Sequence, residues 1–307
     1  TDIHCTPAMI SLQGTLSVYN PQTRLTMFES GPQNSPSAVV FIGGLLDGYH
    51  ALPYLPLLSE ALADQLGYSL IQVMLSSSHM GYGTSSLQED VRELDILFDY
   101  LRNVRAKTRM FIIGHSTGCQ DAISYAIYGQ HRAAIHGIVL QGAVSDREFM
   151  ASSIDMFSEY LHMARTMIND GKGQELMVRE VDVAPVTAYR FNSLASIGGD
   201  DDMFSSDIPQ ETMAALFNQV KIPHIFAHSG KDEYIPEHVH KEQLINQLAA
   251  SPSCRGFVVL PEADHAISDA SSQAKFCEVV IQFLRQISQE ADQFERTQQE
   301  SFNVLSL

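Results

Sequence analysis

Basic residues are scarce in this chain. Its 307 residues include 19 Lys and Arg against 36 Asp and Glu, which gives a formal net charge of −17 at pH 7. A surface with this balance repels the phosphates of nucleic acids and the anionic headgroups of membranes. The composition therefore argues against nucleic acid and membrane surfaces as partners.

Cysteines and long apolar runs are also sparse. The four cysteines, at positions 5, 119, 254 and 277, show no closely spaced pair and no zinc-type arrangement with histidine, so free buried thiols are the simpler interpretation. There is no run of about 18 consecutive apolar residues and no basic N-terminal segment followed by a long apolar run. We therefore expect a soluble, cytoplasmic protein.

Short apolar segments alternate with helical patterns along the chain. Strands are predicted at residues 38–42, 69–75, 109–113, 137–140, 224–228 and 257–260, and a hairpin at 14–19 and 25–29. Helices are predicted at residues 54–65, 88–102, 119–128, 154–168, 211–218 and 272–287. This alternation predicts an α/β fold, a mostly parallel sheet flanked by helices on both faces. The Gln- and Glu-rich tail from Ser288 onward is expected to be solvated.

The interval between the strands ending at 140 and starting at 224 has helical patterns and no convincing strand. We interpret it as a helical cap inserted over the carboxyl edge of the sheet, where open α/β sheets bind ligands. The expected division is a core of residues 1–145 and 220–307 and a cap of residues 146–219. Residues 147–219 include five Lys and Arg and twelve Asp and Glu, so the cap is expected to favour neutral or cationic ligands.

Three successive carboxylates, Asp200, Asp201 and Asp202, stand within this cap. Such a run can bind a hard cation, but it lacks the alternating spacing of a calcium loop, so a solvated or hydrogen-bonding loop is the preferred interpretation. We expect no metal site. No cofactor is expected either, because the glycines after the first parallel strand do not form the Gly-x-Gly-x-x-Gly pattern of dinucleotide-binding proteins.

A Gly-x-Ser-x-Gly motif follows the apolar segment 110–113. Gly114 and Gly118 allow a strand and a helix to approach closely, while Ser116 between them adopts a strained backbone that projects its hydroxyl. Such a motif also occurs by chance in unrelated chains, but the strand and the helix predicted on either side of this one favour a nucleophile elbow. Ser116 is therefore the candidate nucleophile.

A serine nucleophile needs a base and a group that orients the base. Asp232 lies just beyond one predicted strand and His265 just beyond the last, in the order Ser, Asp, His typical of α/β-hydrolases. Glu233 remains the alternative acid, and Asp264 is a weaker one. His115 is expected to be a wall or a substrate neighbour.

The oxyanion of a tetrahedral intermediate needs two backbone donors. One is expected from Thr117, directly after the nucleophile. The other is expected from Leu45, in the glycine-rich loop after the first parallel strand, with Gly44 as the alternative. A plain tight turn remains the competing interpretation of that loop.

Four segments resemble a largely uncharacterised fungal and plant group of α/β-hydrolases that includes fungal siderophore esterases. They are Gly-Gly-Leu at 43–45, Gly-His-Ser-Thr-Gly-Cys-Gln-Asp at 114–121, Ser-Gly-Lys-Asp-Glu-Tyr-Ile-Pro at 229–236, and the cap segment 190–207. The resemblance covers nearly the whole chain. It implies Ser116, Asp232 and His265 as the triad, and an ester of a fusarinine-type hydroxamate siderophore as the substrate.

The favoured function is a serine esterase that forms an acyl-enzyme with a small-molecule ester. Two alternatives stay open at this point. One is an acyltransferase that uses the same triad with an alcohol or amine acceptor. The other is a noncatalytic ligand-binding protein with a hydrolase fold. The sequence does not indicate an oligomeric state.

Overall fold

The computed structural model describes residues 11–305, with side chains up to residue 298. Eight strands in this part of the chain form one sheet, in the order β1-β2-β4-β3-β5-β6-β7-β8. The strands are β1 Gly14–Asn20, β2 Leu25–Ser30, β3 Ser37–Ile42, β4 Ser69–Val73, β5 Arg109–His115, β6 Ile135–Gln141, β7 His224–Ser229 and β8 Cys254–Leu260. β1 pairs antiparallel with β2, and β2 pairs antiparallel with β4. The six strands β3 to β8 run parallel to one another. Every predicted strand and the predicted hairpin are confirmed.

The helices cover both faces of the sheet because the parallel strands are apolar on both sides. In β3, Val39 and Phe41 pack in the core layer with the helices at Leu55–Leu66 and Ala270–Leu305. The alternate residues Ala38, Val40 and Ile42 pack in the layer with the helices at Leu87–Asn103 and Gly118–Tyr128. The helices are α1 Leu55–Leu66, α2 Leu87–Asn103, α3 Gly118–Tyr128, α4 Asp146–Ser153, α5 Phe157–Asn169, α6 Ala188–Ala195, α7 Gln210–Phe217, α8 Lys241–Leu248 and α9 Ala270–Leu305.

Between β6 and β7 the chain is helical, as expected. Helices α4 to α7 occupy this interval, and Leu176 and Thr187 form an isolated bridge there. This segment has an apolar cluster of its own, which includes Met150, Phe191 and Leu194 and which the core residue Tyr82 joins. The assignment of residues 146–219 to a separate cap stays a prediction.

The acidic run 200–202 is held by hydrogen bonds within the same segment. Arg190 Nη1 donates to Asp201 Oδ2 at 2.6 Å, and both side chains are buried. Arg147 Nε donates to Asp202 Oδ1 at 3.1 Å. These carboxylates therefore fasten the loop to α4 and α6. Among the described residues, no group of three or more His, Cys, Asp or Glu side chains is arranged to hold a metal ion.

The C-terminal helix α9 continues past residue 287, where the predicted helix ends. Its side chains from 289 to 298 are mostly exposed, so the tail is solvated as expected and is also helical. None of the helices in residues 11–305 is long and apolar enough to cross a membrane. The described cysteines are free: Cys119 and Cys277 are buried, Cys254 is half-buried, and Cys5 lies outside the described residues.

Candidate active site

Ser116 stands at a sharp turn between β5 and α3. Its φ of 53° lies in the left-handed region, which is strained for a residue with a side chain. The two flanking glycines permit this turn, since a Cβ on Gly114 would lie 2.3 Å from the carbonyl oxygen of Gly118, and a Cβ on Gly118 would lie 2.3 Å from that of Ile42. The predicted elbow geometry is therefore present.

Asp232 and His265 lie on the loops after β7 and β8 and face each other. The Nδ1–H of His265 donates to Asp232 Oδ2 at 2.8 Å, and both residues are buried. Asp232 Oδ1 accepts the backbone N–H of Tyr234 at 3.0 Å, which fixes the direction of the carboxylate. Glu233 instead accepts the backbone N–H of His265, at 2.9 Å, and Asp264 accepts a backbone N–H of its own loop. Asp232 is thus the carboxylate that faces the imidazole.

Ser116 and His265 line one cavity of about 500 Å³. This volume is typical of sites that enclose small molecules. The helical interval between β6 and β7 contributes apolar lining residues, which are Phe149, Met150, Ile154, Val181, Val183 and Leu194. Within the described structure the Ser116 hydroxyl makes no hydrogen bond to His265, and such contacts are commonly long before substrate binds.

The loop after β3 lies against the nucleophile. A Cβ on Gly44 would lie only 2.7 Å from Ser116 Cβ. The N–H of Gly44 donates to Asp47 Oδ2 at 2.8 Å, so this group is already engaged. The backbone N–H groups of Leu45 and Thr117 have no partner among the described residues, which supports these two as the oxyanion donors.

Gln141, at the end of β6, was missed by sequence reasoning. Its Nε2 donates to the backbone carbonyl of His265 at 2.9 Å, and its Oε1 accepts from the Tyr54 hydroxyl at 3.1 Å and from His115 Nδ1 at 2.6 Å. Its backbone carbonyl accepts the N–H of Ser116 at 3.0 Å. The signal in the sequence that could have identified it is a single polar residue at the end of an apolar strand. Gln141 ties the nucleophile loop to the histidine loop.

Three cavity-lining groups have pKa values displaced mainly by burial. Burial, followed by the proximity of His265, lowers the pKa of His115 to about 3. Burial, followed by the proximity of Asp201, raises the pKa of Asp146 to about 7. Burial also raises the pKa of Asp47. His115 is therefore neutral at pH 7, as a wall of the cavity would be.

The strand order, the elbow and the cavity define an α/β-hydrolase fold, and solved structures share it. The siderophore hydrolase EstB from Aspergillus fumigatus is 24% identical, with a TM-score of 0.75 over 90% of this chain and 98% of that one. A monoglyceride lipase from Saccharomyces cerevisiae is 13% identical, with a TM-score of 0.62 over 91% of this chain and 98% of that one. The predicted fold class is confirmed.

The model of a family described as "Protein of unknown function (DUF1749)" matches residues 6–285, and the chain belongs to that family. UPF0613 protein PB24D3.06c of Schizosaccharomyces pombe is 29% identical over 77% of this chain and 82% of its own length. Fusarinine C esterase sidJ of Aspergillus fumigatus is 25% identical over 84% of this chain and 90% of its own length. Esterase AN6793 of Emericella nidulans is 27% identical over 73% of this chain and 77% of its own length. The predicted resemblance to the group with siderophore esterases is confirmed.

Proposed function

We propose that this protein is a serine esterase that cleaves carboxylic esters through an acyl-enzyme. The observation that carries the proposal is the buried Asp232–His265 hydrogen bond of 2.8 Å beside the cavity that Ser116 also lines. A base held by a buried carboxylate next to an elbow serine is the arrangement that acyl transfer requires. The names of two relatives, a fusarinine C esterase and an esterase, support the same class.

The reaction begins when His265 Nε2 takes the Ser116 proton and Oγ attacks the ester carbonyl. The carbonyl oxygen becomes an oxyanion that accepts hydrogen bonds from the N–H groups of Leu45 and Thr117. Asp232 keeps the imidazole in the tautomer with Nδ1–H and stabilises its charged form. His265 then returns the proton to the leaving alcohol. A water molecule, deprotonated by the same histidine, attacks the acyl-enzyme. His265 then gives this proton to Ser116 Oγ as the acid leaves, which restores the free serine.

The substrate we propose is a small-molecule ester of a hydroxamate siderophore. The relative named fusarinine C esterase and the structural neighbour named siderophore hydrolase support this choice. The cavity of about 500 Å³ has room for an ester-bearing portion of such a molecule. A cytoplasmic location, expected from the sequence, stays a prediction.

The test uses an alkylphosphonate probe that modifies active serines, together with a panel of esters that includes iron-free and iron-bound hydroxamate siderophores. We expect the wild-type protein to be labelled and to hydrolyse members of the panel, and Ser116→Ala to lose both properties. Ser85→Ala is the matched control, because Ser85 lies outside any elbow. Labelling of Ser116→Ala, or unchanged hydrolysis by it, would reject the assignment. Products formed with added alcohols or amines instead of water would indicate an acyltransferase.

A further inference from the structure

Two aromatic rings contact the imidazole of His265. The ring of Tyr234 lies 4.5 Å from it between centroids, with the two planes at 51°. The ring of His115 lies 4.8 Å from it, with the planes at 52°. All three residues line the cavity, and His265 is only 6% exposed. Protein groups rather than bulk water therefore surround the imidazole.

The proposed reaction places a positive charge on this buried imidazole each time it takes a proton. Such a charge costs free energy unless neighbouring groups compensate for the lost water. Among the described residues, Asp232 is the carboxylate that is hydrogen-bonded to the ring of His265, through Nδ1–H. Glu233 accepts the backbone N–H of His265 instead, and Asp47 and Asp146 act on His265 through charge alone. The rest of the compensation depends on the two aromatic contacts.

Of these two rings, that of Tyr234 is the one suited to attract a cation. The rings that bind cations in proteins are those of Trp, Tyr and Phe, whose negative π faces attract a positive charge within about 6 Å of the centroid. The 4.5 Å separation between Tyr234 and His265 lies within this range. His115 adds no opposing charge, because burial, followed by the proximity of His265, lowers its pKa to about 3.

Tyr234 is held in place by the acid of the triad and by a second ring. Its backbone N–H donates to Asp232 Oδ1 at 3.0 Å, so the residue is tied to the carboxylate that binds the imidazole. Its side chain contacts Phe149 of α4, with 4.7 Å between centroids and the planes at 53°. These contacts fix the ring of Tyr234 relative to the base.

We propose that Tyr234 is a positioning residue whose ring stabilises the protonated form of His265 in both steps of the reaction. This inference rests on the proposed esterase function. No proton or electron pair passes through Tyr234, because its part is the attraction between its π face and the imidazolium. The inference therefore requires the ring of Tyr234 and not its hydroxyl.

The experiment changes the electron density of this ring while its shape is kept. Tyr234 is replaced by phenylalanine and by mono-, di- and trifluorinated phenylalanine, because each fluorine weakens the negative potential of the ring face. We expect Tyr234→Phe to retain the wild-type kcat for one ester of the panel. The trifluorinated form should lower kcat by about 3- to 30-fold, with KM little changed. Labelling by the phosphonate probe should slow in the same order.

Tyr234→Leu, which removes the ring, should lower kcat at least as far as the trifluorinated form. A constant kcat across the fluorinated series overturns the inference, and so does a change confined to KM, which would show that the ring binds substrate instead. The matched control is the same series at Phe28, whose ring contacts His50 at 5.1 Å between centroids, outside the cavity lining. This series should keep the wild-type kcat, and an equal fall in kcat there also overturns the inference.

The esterase function and the role of Tyr234 fail in different ways. A wild type that is labelled and hydrolyses esters, with an unchanged kcat throughout the series, rejects only the role of Tyr234. A wild type that is neither labelled nor active rejects the esterase and the inference with it, since His265 then takes no proton from Ser116. Urea unfolding of each variant separates a loss of catalysis from a loss of the fold.

Discussion

The side-chain amide of Gln141 holds the backbone of His265 across 124 residues of sequence, through a hydrogen bond of 2.9 Å. The same side chain accepts from His115 and Tyr54, so one buried glutamine orients two loops of the candidate active site. The position of the imidazole therefore depends on a residue that does not contact the reacting atoms.

Replacing Gln141 tests this dependence. Gln141→Leu should lower kcat by about 10- to 100-fold with little change in KM, because a displaced base impairs proton transfer more than substrate binding. The variant should also lose about 1–3 kcal/mol of unfolding free energy for each donor left without a partner. Steady-state kinetics and urea unfolding measure the two effects. Gln72→Leu is the control, since Gln72 is equally buried in β4 and lies outside the cavity lining. A similar fall in kcat for the control would contradict the positioning role.

Substitutions of the two neighbouring acids Asp232 and Glu233 should differ sharply in their effects on kcat. Asp232→Asn should lower kcat by about a thousand-fold or more, because an amide favours the wrong tautomer of the base. Glu233→Gln should lower it by about ten-fold at most, because a glutamine oxygen still accepts the backbone N–H of His265. Kinetics with one ester under identical conditions compare the two variants. A larger loss in Glu233→Gln would identify Glu233 as the orienting acid.

Because Gly44 lies close to Ser116, we expect activity to be sensitive to substitution of this glycine. In Gly44→Ala the new Cβ would lie 2.7 Å from Ser116 Cβ and 3.3 Å from the carbonyl oxygen of His115, so the loop or the elbow must move. We expect kcat/KM to fall by about 100-fold, together with slower labelling by the serine probe. Gly173→Ala, whose nearest neighbour would be at 3.5 Å, should behave like the wild type. Normal labelling of Gly44→Ala would show that the loop does not constrain Ser116.

The raised pKa of Asp146 predicts how the free energy of unfolding varies with pH. Its folded pKa is raised, mainly by burial, from 3.8 to about 7, so its stabilising contribution is complete below the unfolded pKa and is lost as the pH rises through 7. Asp146→Asn does not titrate, and its oxygen still accepts from Gln120. The variant should therefore gain about 1 kcal/mol or more relative to the wild type between about pH 5 and about pH 8.

Urea unfolding of both proteins at each pH measures this difference. Asp64→Asn, on the exposed side of α1, is the control, and its unfolding free energy should follow that of the wild type at every pH. A constant difference between Asp146→Asn and the wild type across the range would show that the Asp146 carboxyl is ionised throughout.

Local patterns were enough to predict the sheet and most of the helices. Apolar runs bounded by turn residues identify the buried strands. Ser86 caps α2, since its hydroxyl accepts the N–H of Glu89. Helix ends in the interval between β6 and β7 were less predictable. Helix α5 begins at Phe157 rather than at 154 because Met156 before it has a φ of 59°, and no sequence pattern requires that conformation there.

The candidate triad follows from its order along the chain and its place at strand ends, so the sequence was informative about Ser116, Asp232 and His265. The supporting contacts were not accessible in the same way. Gln141 acts through partners that the fold brings together, and its own sequence neighbourhood contains no motif that names those partners. Its role follows from strand order and loop register, which depend on packing of the whole sheet.

β8, at one edge of the sheet, is the last of the eight strands in the described residues, and His265 lies on the loop after it. A molecule in which β8 has not yet joined β7 has its elbow and its acid but lacks the bond between Asp232 and His265. Recovery of turnover after dilution from denaturant should therefore lag behind recovery of helical signal. We therefore expect ester hydrolysis to report the completion of folding, and a chain still under synthesis to stay inactive until the segment that holds His265 has been added.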